Sequence, residues 1–136
     1  MRSFSLCLLL MTTQAFADIY VVVSESSPIT TFAVDDVADV YLGRKKVIGT
    51  TYVDQVLDRT GEDRKRFFSA VTNMTESQVN AYWAKLKFSG SMRAPEKVSS
   101  EQGLLEKLIE NPQAIGYMTK KPSESSGVRV GLHIYE

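Results

Sequence analysis

Two short stretches of this 136-residue chain gather the residue types that hold anions. One is Ser26, Ser27, Thr30 and Thr31; the other is Arg59-Thr60-Gly61. Each stands between a strand-like apolar run and a helix-like one. A helix N-terminus presents free N–H groups and positive potential, and both favour a bound oxyanion. Arg59 adds a planar fork of donors, and Thr60 and the Gly61 amide donate at the helix start. Ser26, Ser27, Thr31, Arg59, Thr60 and Gly61 are therefore the candidate oxyanion ligands. The plainer alternative is that Thr60 only caps a helix, with Arg59 on the surface, and that the serine-rich loop is an ordinary turn.

Other chemistries find little support. The sequence contains no G-x-x-x-x-G-K-[ST] loop, no G-x-G-x-x-G, no H-E-x-x-H and no G-x-S-x-G. His133 is the only histidine and lies near the C-terminus, where it reads as a structural or surface residue. A hydrolase pairing His133 with a serine would lack any nucleophile motif. Cys7 is the only cysteine. It falls in an N-terminal leader, so the rest of the chain has neither disulfides nor thiol chemistry, and a transition-metal site is not indicated. Asp35-Asp36 and Glu62-Asp63 suit first turns of helices better than acid–base work. No cofactor and no enzyme are expected.

The leader has the three parts of a secretory signal peptide: Arg2, an apolar run over residues 4–11, and Ala15-Phe16-Ala17. The expected division is a signal peptide at 1–17 and one domain at 18–136, exported to the periplasm. The apolar run is shorter than the roughly 20 residues a spanning helix needs, and no second such run follows. Formal net charge is zero, so nothing in the composition draws the protein to nucleic acid.

The elements that must position the candidate residues can be read in order. Ile19-Tyr20-Val21-Val22-Val23 is a strand buried on both faces. A helix capped by Thr30 or Thr31 follows, with Ala33, Val37, Val40 and Tyr41 on one face and Gly43 as its stop. Residues 51–56 read as a second strand. Thr60-Gly61-Glu62-Asp63 opens a helix that places Arg64, Phe67, Phe68 and Val71 together. Thr75-Glu76-Ser77-Gln78 is a capping box, followed by Val79, Tyr82, Trp83 and Leu86 at helical spacing. Residues 88–98 read as a loop. Ser99-Ser100-Glu101-Gln102 offers another capping box, ahead of Leu104, Leu105, Leu108 and Ile109. Residues 114–118 form a third buried strand, and residues 128–135 a last edge strand. Strands separated by helices specify an α/β fold with a mixed or mainly parallel sheet flanked by helices.

In that order the segments resemble the phosphate-binding proteins of ABC transporters. Val37-Ala38-Asp39-Val40-Tyr41-Leu42-Gly43-Arg44 resembles that family's helix end in leucine-glycine. Asp58-Arg59-Thr60-Gly61-Glu62-Asp63-Arg64, running on to Phe67-Phe68, is similar to its arginine, Ser-Gly-Thr turn and aromatic helix. Ala81-Tyr82-Trp83, Phe88-Ser89-Gly90 and Ala114-Ile115-Gly116-Tyr117 resemble later landmarks of a short subgroup. The resemblance implies a single periplasmic-binding-protein-like lobe that binds phosphate or a similar oxyanion, alone or as a homodimer. The chain departs from the pattern at the turn. Only Thr60-Gly61 stands beside Arg59, and the carboxylates of Glu62 and Asp63 would oppose a dianion. The alternative is a non-transport module that kept the fold, lost the ligand and binds a protein partner in the envelope.

Overall fold

The computed structural model describes residues 18–30, 32–89 and 93–135. The expected signal peptide and Thr31 lie outside them. Seven strands and four helices are assigned among the described residues. β1 (Ile19–Ser24), β4 (Gln55–Asp58), β5 (Glu96–Lys97), β6 (Ala114–Met118) and β7 (Val128–Ile134) form one sheet in the order β5-β4-β6-β1-β7. β2 (Val47–Ile48) and β3 (Thr51–Tyr52) form a separate small hairpin. The helices are α1 (Val34–Tyr41), α2 (Gly61–Thr72), α3 (Glu76–Phe88) and α4 (Glu101–Glu110).

The main sheet is mixed. β4 runs parallel to β5 and to β6, while β1 is antiparallel to both its neighbours, β6 and β7. β5, β4, β6 and β7 therefore all point one way, and β1 alone runs back. Residues of β1 and β6 are buried on both faces because helices cover both sides of the sheet. α1, α2 and α3 pack with Val21, Val23, Ile115 and Tyr117 on one side. α4 brings Leu104 and Leu108 against Val22, Leu57, Ala114 and Met118 on the other. The side beneath α1 and α2 is aromatic. The Tyr117 and Phe67 rings stack at 3.7 Å, and Tyr41 meets Phe67 edge-on at 4.6 Å while donating its hydroxyl to the Leu57 carbonyl.

Two glycines permit this packing. A Cβ on Gly116 would lie 2.8 Å from Leu104, so its absence lets α4 close on the sheet. Val21 pairs with Leu132 and Val22 with Val130, which leaves Gly131 as the extra residue of a β-bulge. The Phe32 ring fills the space a side chain at Gly131 would need, 1.9 Å from its Cβ position.

Several expectations are corrected. The sheet strand is Gln55–Asp58, because residues 51 and 52 turn away into the hairpin with Val47–Ile48. The stretch 88–98 is not all loop: α3 reaches Phe88, and Glu96–Lys97 pairs with β4. α1 is preceded by Ala33 at its N-cap, without a side-chain cap. At α4 the cap is Ser100, which accepts from the Gly103 amide, in place of a box built on Ser99. The box at Thr75 and Gln78 is present with both of its hydrogen bonds.

Candidate functional site

Arg59 follows the last residue of β4, where the chain leaves the sheet toward α2. From β4 the chain passes through α2 and α3 to β5 on one side, then returns through α4 to β6 on the other. The loops diverge at the carboxyl end of β4, and open α/β sheets hold ligands at such a point.

Three charged side chains are buried here: Asp58 (2% exposed), Arg59 (8%) and Arg64 (4%). Asp58 organises them. Its Oδ1 accepts from the Arg59 backbone N–H at 2.8 Å and from the Tyr117 hydroxyl at 2.5 Å. Its Oδ2 accepts from Arg64 Nε at 2.9 Å. Arg64 Nη1 also reaches Glu76 at 3.3 Å, and its guanidinium lies 5.2 Å from the centre of the Phe68 ring. Burial first, and then the Asp58 charge, push the Tyr117 phenol far above its ordinary range. Tyr117 therefore keeps its proton and is the donor to Asp58. The same two causes raise Tyr41. This network fixes the backbone on which Arg59 sits.

Arg59 itself donates from Nε to the Val98 carbonyl at 3.1 Å. Its Nη2 lies 4.0 Å from Asp63, whose other oxygen accepts from the Thr119 hydroxyl at 3.0 Å. Thr60 stands at the N-cap of α2 with extended backbone but makes no side-chain cap bond, which corrects its reading as a plain cap. Gly61 has φ +68°, and apart from its chain neighbours and its own helix backbone no atom lies within 4 Å of where a Cβ would stand, so that side of its backbone is open. A cation, a free hydroxyl and uncapped first-turn amides thus meet at one place, with Asp63 and Glu62 opposing them in charge.

The serine-rich loop is elsewhere. Because β1 runs against β4 and β6, Ser24 lies at the amino end of those strands. Continuing the register places Arg59 level with Met118 and hence with Tyr20, four residues and about 13 Å along β1 from Ser24. Ser26 and Ser27 lie beyond that. Their hydroxyls serve the turn: Ser27 Oγ accepts from the Ile29 amide at 3.1 Å, and Ser26 Oγ pairs with Ser24 Oγ at 3.0 Å. Arg129 ties the loop down by donating to the Ser27 and Ile29 carbonyls. The five described candidate ligands therefore do not converge: Arg59, Thr60 and Gly61 lie at the carboxyl end of β4, and Ser26 and Ser27 lie beyond the opposite end of the sheet.

His133 lies at the carboxyl edge, opposite Tyr20 in the sheet. Its Nε2 is 3.2 Å from Asp18, and its ring stacks on Tyr20. The sequence reading missed the Asp58–Arg64–Tyr117 network. The signals for it were an arginine on an apolar helix face and a tyrosine in a fully buried strand, since both need polar partners.

No protein-family model matches the sequence, and no curated protein matches it. Solved structures match the fold. One is described as a phosphate ABC transporter substrate-binding protein from Clostridium perfringens, solved with bound phosphate. It has a TM-score of 0.62 and 15% identity, covering 84% of this chain and 44% of that one. An ABC-type phosphate transport receptor from Vibrio cholerae gives 0.59 and 18%, covering 84% and 46%. PstS from Borrelia burgdorferi gives 0.55 and 17%, covering 76% and 41%. The chain spans less than half the length of these structures. At this identity what is shared is the fold: a single α/β lobe of the kind found in phosphate ABC transporter substrate-binding proteins.

Proposed function

We propose that this protein is an exported binding protein, not an enzyme, whose α/β unit holds an oxyanion, with phosphate the leading candidate, against Arg59, Thr60 and Gly61. In this reading residues 1–17 are removed on export and residues 18–136 work in the periplasm. The observation that carries it is the position of Arg59. It is a buried cation at the carboxyl end of β4, beside uncapped amides of α2, in a fold shared with a structure solved with phosphate. Calorimetric titration with phosphate, using sulfate as control, tests it. Saturable binding that disappears in Arg59→Gln is expected, and the absence of binding at millimolar phosphate refutes it.

A second reading rests on Asp63. Its carboxylate already faces Arg59, and Arg59 Nε is committed to the Val98 carbonyl. A unit that kept the fold and lost its ligand would instead bind a protein of the envelope. Specific capture of one envelope protein by a chain that ignores phosphate would favour this reading.

A further inference from the structure

On the α2–α3 side of the sheet, β5 and α3 border a pocket of about 220 Å³ that none of Arg59, Thr60 and Gly61 lines. Trp83, Ala94 and Pro95 give it apolar walls, and Lys87 and Lys97 stand at its rim. Both lysines are exposed, and neither has an ion pair among the described residues. Arg64 is buried at the pocket's inner end, held through Nε by Asp58. Three cations against the one Asp58 carboxylate leave the lining net positive. The volume is below the roughly 300–1,000 Å³ of sites for drug-sized molecules, so the occupant is small.

We propose that this pocket binds a small organic carboxylate, its flat apolar body against Trp83 and Pro95 and its charge between Lys87 and Lys97. Aromatic and proline walls favour a flat apolar body, and the two unpaired ammonium groups favour an anion. The site is separate from the oxyanion reading at Arg59 and stands or falls without it.

Trp83 is the only tryptophan and lines this pocket, so its fluorescence reports on it. The protein is titrated with benzoate, and with benzamide as the uncharged counterpart. A saturable change with benzoate is expected. It should weaken at least about tenfold for benzamide and in the Lys87→Met/Lys97→Met double variant, and persist in Arg59→Gln. Both lysines are exposed, so an unchanged urea midpoint will show that the double variant is folded. The proposal is overturned by no saturable change at tens of millimolar benzoate, by an equal response to benzamide, or by a response the double variant leaves intact. Equal displacement of benzoate by inorganic phosphate would also overturn it, by making the pocket a general anion site.

Discussion

Replacing Arg64 by Met removes the guanidinium from the buried network and leaves an aliphatic stem to pack against Phe68. Asp58, only 2% exposed, then loses the cation that lies 2.9 Å away in the native protein. Breaking a buried pair in this way costs about 3–5 kcal/mol, because the remaining charge stays desolvated. Asp58 retains the Tyr117 hydroxyl and the Arg59 amide as donors, which places the expected loss near the lower end, about 3 kcal/mol. With a urea dependence of about 1–3 kcal/mol per molar, the unfolding midpoint should fall by roughly 2 M. Glu76→Gln is the control. That partner is 43% exposed, so its loss should cost less than about 1 kcal/mol. The double variant Asp58→Asn/Arg64→Met strands no charge and should recover part of the loss. A single Arg64→Met variant within about 1 kcal/mol of the wild type would refute the claim that this pair holds the turn.

Gly131→Ala should destabilise by about 1–3 kcal/mol, because the new methyl group meets the Phe32 ring; a neutral result in denaturant unfolding would show that Phe32 does not pack there. Tyr41 and Tyr117 should remain protonated in the folded protein. Their raised folded values mean the neutral phenols contribute stability in full below the unfolded value of about 10, and that it is lost as pH rises above it. In an alkaline absorbance titration their phenolates should emerge together with unfolding; ionisation of every tyrosine before unfolding would contradict their burial.

Much of the fold was legible because β1 and β6 are continuous apolar runs and because Thr75 and Gln78 announce α3. β5 and the β2–β3 hairpin were not, since strands of two residues carry no periodicity. The direction of β1 was equally hidden. A buried run reads the same whichever way it crosses the sheet, and that direction sends Ser26 and Ser27 to the edge remote from Arg59. Arg59, Thr60 and Gly61 stood out as candidates from residue type and from their place between a strand and a helix, but Asp58 and Tyr117 are 59 positions apart and only the sheet register joins them. Glu62 and Asp63 read as opponents of an anion, and Asp63 does face Arg59.

The most direct test of the account is calorimetric titration of the protein with phosphate and, separately, with sulfate, repeated on Arg59→Gln after its urea midpoint has shown it folded. The account predicts saturable phosphate binding at one site, lost in the variant. No heat at millimolar phosphate, or binding that the variant leaves unchanged, would contradict it.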